Sequence, residues 1–194
     1  YFGHSVAYTL LSPLHRVPGN IERTENMQLL LSLKVALWAA LITTWTDFVV
    51  DPVAHLGEYW FLGKIYFWIT TSTAWHFDIP LWNYAGWLLT IFTIVGVNQL
   101  IDRFLIARGL PHKPAFNLPY KCLWSRGYFI GNYLFILAVN IYLYVNPAVP
   151  AEKQIGLVLA NTVVFVVAFI LFNVLFIRRK LRASAAGRIR CCMP

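Results

Sequence analysis

Long apolar stretches separated by short polar breaks dominate the chain, and their lengths are those of bilayer-crossing helices. A helix needs about 20 mostly apolar residues to span the hydrocarbon of a membrane, and the runs 27–50, 84–107, 128–144 and 155–177 meet that standard with differing margins. A fifth stretch, 59–73, is aromatic-rich and only marginally long, so it reads as a short tilted span, a re-entrant segment or an interfacial helix. The opening 1–14 reads as the end of a further span cut at its start. Pro13, Pro18-Gly19, Asp51-Pro52, Pro80, Gly109 with Pro111, Pro114 and Pro119, and Pro147 with Pro150 mark where the helices should stop. The pattern therefore predicts an all-α, polytopic integral membrane helix bundle of five to six transmembrane helices, with one transmembrane domain over 1–177 and a basic tail over 178–194. No internal repeat is visible.

Composition narrows the class. Of 194 residues, 59% are hydrophobic and 12% charged, against roughly 45–50% and about 25% in soluble domains. Intrinsic disorder, a disulfide scaffold and a collagen-like fibre are excluded by the same figures. The balance of 16 Lys+Arg against 8 Asp+Glu, a net charge of +8, would in a soluble chain raise nucleic acid as a partner. Here the bases gather at the edges of apolar runs, so anionic lipid head groups and topology account for them and no nucleic acid is expected. Arg103, Arg108, Lys113, Lys121 and Arg126 stand against Asp102 alone, and six bases with no acid fill 178–190. The positive-inside rule puts both regions, and the C-terminus, on the cytoplasmic side of a bacterial or archaeal inner membrane, with 75–82 on the opposite face. The chain opens on Tyr1 without the pattern of a signal peptide, which is read as absent or removed.

Chemistry is expected where ionisable groups interrupt the apolar runs, because a charge at membrane depth is costly and its default reading is functional. Asp47 and Asp51 lie four apart on one helical face, and His55 continues the spacing. Two carboxyls that close, out of water, are expected to hold a proton between them and so to offer a general acid at neutral pH. The plainer alternative makes Asp51, before Pro52, a helix-end residue in the headgroup region, with Asp47 bonded to a neighbouring helix. A second cluster, Trp75-His76-Phe77-Asp78 through Trp82-Asn83-Tyr84 to Trp87, alternates polar groups with five aromatic rings. It suits an interfacial aromatic belt, and it also offers stacking faces to a flat conjugated ligand. Asn83 is placed as a helix N-cap. Asn98, Asn132, Asn140, Asn161 and Asn173 read as interhelical hydrogen-bonding residues, and His112 as a loop residue. Cys122, Cys191 and Cys192 have no metal or redox spacing. Zinc, phosphate-loop, dinucleotide and nucleophile-elbow patterns are missing.

The run Thr46-Asp47-Phe48-Val49-Val50-Asp51-Pro52-Val53-Ala54, followed by Pro80-Leu81-Trp82-Asn83-Tyr84-Ala85-Gly86-Trp87, resembles the carotenoid biosynthesis membrane-protein family, which includes hydratases of γ-carotene and bisanhydrobacterioruberin. Phe2-Gly3-His4 with Tyr8-Thr9 and Pro18 is a looser match upstream, and Asp78 departs from the glycine common in the family. The resemblance implies addition of water to the terminal C=C of an acyclic carotenoid end, without a cofactor. For that reaction Asp51, beside Pro52, is the expected proton donor, with Asp47 one turn deeper tuning it and His55 or Asn83 positioning water. Trp75, His76, Asp78, Trp82 and Trp87 would bind substrate, their rings steadying a cation. The alternative is a non-catalytic pigment-binding accessory subunit of a larger membrane-protein complex, in which His55, His76 or His112 ligates a metal-centred pigment. A small transporter or proton relay built on Asp47, Asp51 and Asp102 is a third reading.

Overall fold

The long helix Leu33–His55 packs chiefly against the first helix and against the helix that begins at Leu81. In the computed structural model the described residues are 2–17, 20–55, 74–77, 79–110, 121–152, 154–164, 167, 171, 174, 175, 178 and 182. In chain order they form α1 (Phe2–Leu11), β1 (Leu14–Val17), β2 (Asn20–Arg23), α2 (Met27–Leu30), α3 (Leu33–His55), β3 (Ala74–His76), β4 (Ile79–Pro80), α4 (Leu81–Ala107) and α5 (Lys121–Val145), followed by α6 (Gln154–Val164). The fold is mostly helical. Two short antiparallel pairs, β1 with β2 and β3 with β4, are additions that apolar run lengths do not announce.

The run 27–50 is not one helix. Asn26 caps α2 by accepting from the Leu29 N–H at 3.1 Å, and the helix is interrupted at Leu31-Ser32. The carbonyls exposed there are taken up from α4: the Gln99 amide donates to Leu30 O at 3.0 Å and Ser32 O at 3.2 Å, and Arg103 donates to Leu31 O at 2.6 Å. Nor does Asp51-Pro52 end the next helix, because α3 runs through Pro52 to His55. Helix α4 begins at Leu81 with Pro80 as its N-cap, so Asn83 lies inside the helix instead of capping it. Helix α5 begins at Lys121 instead of 128. The run 59–73, His112, Lys113 and most of the basic tail lie outside the described residues.

Two described helices, Leu33–His55 and Leu81–Ala107, are long and apolar enough to cross a membrane, and only 33% and 17% of their apolar windows are buried. The central helix of a soluble protein would hide such a surface, whereas these helices expose Leu37, Trp38 and Leu41 on α3 and Leu89, Ile94, Leu100 and Phe104 on α4. The apolar stretch Leu134–Val145 of α5 and the described α6 are shorter.

Around α3 the described core includes one cluster near the start of the helix and others toward its end, where Val49 packs on Ile136. Ala7 and Tyr8 of α1, Leu30 of α2, Val35, Ala36 and Ala39 of α3 and Val95 of α4 pack together near its start. Val53 packs with Val139 and Leu143 of α5, Val149, and Leu157 of α6 near its end. Small residues bring α1 against α3: a Cβ at Gly3 would collide with Thr43 Oγ1 and lie 3.0 Å from Ala39 O. Arg23, whose side chain is fully buried, donates to Thr9 Oγ1 at 2.9 Å, lies 4.5 Å from the centre of the Tyr8 ring and pairs with Glu25 at 3.4 Å. Between α5 and α6, Asn161 donates to Asn140 Oδ1 at 3.3 Å and Asn140 donates to Thr162 Oγ1 at 3.1 Å, the interhelical bonding expected of these asparagines. Asn98 instead bonds within its own helix, to Ile94 O.

Candidate functional site

Antiparallel packing of α3 on α4 sets the end of one helix beside the start of the other. Asp51 is 2% exposed and Asn83 is 8% exposed, and the Asn83 amide donates to Asp51 Oδ2 at 2.5 Å. A buried carboxylate out of water needs such a donor, and in a stretch so poor in polar groups an asparagine on the neighbouring helix supplies it. Asp47 lies one turn before Asp51 on the same face of α3, half-buried, and its Oδ2 is buried with no hydrogen-bond partner. Thr44 continues the face a further turn back, buried, and its hydroxyl is likewise without a partner. The two carboxyls are thus not equivalent: Asp51 is held by a donor and Asp47 Oδ2 is not.

Pro52 explains how the β3 segment is held against this face. Inside a helix a proline lacks the N–H that would bond the carbonyl four residues back, which here is that of Phe48. His76 fills the gap, with Nε2 2.9 Å from Phe48 O. A carbonyl only accepts, so Nε2 carries the proton in this contact. The contact is supported by rings. Phe48 stacks on Tyr84 of α4 with centroids 4.1 Å apart and planes 4° from parallel, and His76 lies edge-on to Tyr84 at 6.1 Å. His76→Phe is expected to cost about 1 kcal/mol, the low end of the penalty for leaving an acceptor unpaired, since the bond is only part-buried. Pro52→Ala restores an N–H to the helix and should return most of that loss in the double variant. Thermal unfolding of the four proteins in detergent checks this cycle, which fails if the two substitutions simply add.

The structure brings Asp47, Asp51, Asn83 and His76 into one neighbourhood. His55 is the last residue of α3, one turn beyond Asp51 and half-buried. Trp87 follows Asn83 by one turn on α4 and is half-buried, whereas Trp82 is 59% exposed on the outside of that helix. Asp78 and the side chain of Trp75 lie outside the described residues. Tyr84 is one of the rings of the aromatic cluster, whereas the pattern of the chain does not single out Thr44 or Phe48 for chemistry. Among the described residues, no three His, Cys, Asp or Glu side chains gather as a metal ion would need.

Apolar helices of bilayer-crossing length with one buried and one half-buried carboxyl beside their contact define a class, that of helical membrane-type bundles with an acidic site. Within it the chain belongs to the carotenoid biosynthesis protein family, whose model matches residues 6–159, a stretch that includes every residue of the site. Its role therefore lies in carotenoid biosynthesis. A search of curated proteins and a search of solved structures found no match.

Proposed function

We propose that the protein adds water to the terminal C=C of an acyclic carotenoid end group, giving a tertiary alcohol. Protonation of the less substituted carbon gives a tertiary cation, and water then adds to it, so the site must supply one proton, shelter a cation and remove a proton from the incoming water. The observation that carries this reading is the unequal bonding of the two carboxyls. Asp51, fixed by the Asn83 amide, suits the carboxylate that faces the cation and takes the proton from water. Asp47, with an oxygen no donor reaches, suits the carboxyl that gives its proton to the alkene. This reverses the division of labour expected from the position of Pro52. The Phe48 and Tyr84 rings stack on each other on the same two helices as the acidic pair, and an outer π-face of the stack would stabilise a cation.

Expression in cells that make lycopene or γ-carotene, followed by mass analysis of the pigments, tests the reaction. A product heavier by one water is expected. Unaltered pigment that co-purifies with the protein would favour a pigment-binding subunit instead. We also place five to six spans, on the lengths of the apolar runs, in a bacterial or archaeal inner membrane, and put the C-terminus on the cytoplasmic side on the strength of the two basic regions. Cysteines introduced at Lys113 and Arg188 should label from the same, cytoplasmic, side, and labelling from opposite sides would refute that topology.

A further inference from the structure

Threonines inside helices ordinarily turn their hydroxyls back onto their own backbone, and two of the three in the middle of α3 do so. Thr43 Oγ1 donates to Ala39 O at 2.9 Å and Thr46 Oγ1 to Ile42 O at 3.4 Å. Thr44, between them, is buried and its hydroxyl has no partner. One turn on, along the same face, Asp47 Oδ2 is also buried without a partner. Two unsatisfied oxygens a turn apart, one able to donate and one able to accept, cost free energy unless something small and polar joins them. A water has the right chemistry, since buried waters hold otherwise unsatisfied polar groups through two to four hydrogen bonds.

We propose that Thr44 and Asp47 hold an ordered water at the inner end of the acidic face, the Thr44 hydroxyl donating to it and the water donating to Asp47 Oδ2. This deepens the hydratase reading and rests on Asp47 as proton donor. When Asp47 gives its proton to the less substituted carbon of the double bond, it is left as a carboxylate, and the water already donates to that charge. The water that adds to the cation forms its C–O bond and passes one proton to Asp51, from which the proton returns to Asp47. Alkene and water are consumed, the alcohol is formed, and both carboxyls are restored. Thr44 is thus a positioning residue: it acts on the reaction through Asp47.

Infrared difference spectra of the purified full-length protein in lipid vesicles, in ordinary and ¹⁸O-labelled water, test the site. Asp47→Asn identifies the Asp47 carboxyl band. Thr44→Val should shift that band and abolish an isotope-sensitive O–H stretch, and Thr44→Ser should retain both features. With carotenoid in the vesicles, Thr44→Val should lower kcat roughly tenfold, one decade of the 10²–10⁴ available to general acid catalysis, with KM unchanged. A Thr44→Val spectrum identical to wild type overturns the water site. If the water signal depends on Thr44 but Asp47→Asn still makes product, the site stands and the assignment of Asp47 as acid falls.

Discussion

Replacing Asp47 by asparagine is expected to lower hydration at least about a hundredfold while leaving folded protein in the membrane. General acid catalysis supplies about 10²–10⁴-fold, and asparagine keeps the size of the side chain but has no proton to give at neutral pH. Folding should survive because no protein group bonds Asp47 Oδ2 and the amide oxygen of asparagine still accepts from a water. Asp51→Asn is expected to cost less, since an amide still packs against Asn83 and some water still adds without a base. Pigment analysis per unit of membrane-inserted protein measures both. Near wild-type turnover by Asp47→Asn, with Asp51→Asn inactive, would return the acid to Asp51.

Asn83→Leu should be damaging in two separable ways. It removes the donor that Asn83 gives to a carboxyl only 2% exposed, at a cost of about 1–3 kcal/mol in stability, and it frees Asp51 from its orientation, lowering turnover at least about tenfold. Replacing both partners by apolar residues is far milder than stranding one. The Asp51→Leu, Asn83→Leu double variant should therefore recover most of the lost stability in detergent and none of the activity. A double variant no more stable than Asn83→Leu alone would mean that the bond across α3 and α4 contributes little to the fold.

The meeting of the two motif halves was legible because polar groups in apolar helices must find one another, but its geometry was not. An asparagine after a proline looks like a cap, and whether the helix starts at Leu81 or at Tyr84 decides whether Asn83 faces its own backbone or Asp51. Pro52 looks like an end. It is instead a gap within a continuing helix, and the trace in the sequence was arithmetic: the carbonyl it frees belongs to Phe48, four residues back, and some donor had to be near. Thr44 could not be told from Thr43 and Thr46, because hydroxyl direction depends on rotamers that spacing does not fix. The Arg23 network is not legible because a base at the edge of an apolar run reads as interfacial, whereas β2 sets it against Thr9 and Tyr8 of α1.

The interruption at Leu31-Ser32, held by Gln99 and Arg103, has a consequence for how the protein answers membranes of different thickness. At 1.5 Å per residue α4, with 27 residues, is about 40 Å long, more than a hydrocarbon layer of roughly 30 Å needs. A lone helix of that length relieves the mismatch by tilting freely. This one is riveted to its neighbour at two levels, Asn83 to Asp51 at one end and Gln99 to the α2–α3 junction at the other. Neither helix can slide or tilt without the other, so a thicker or thinner bilayer moves the pair as a unit and carries the acidic site to a new depth relative to the lipid-dissolved polyene.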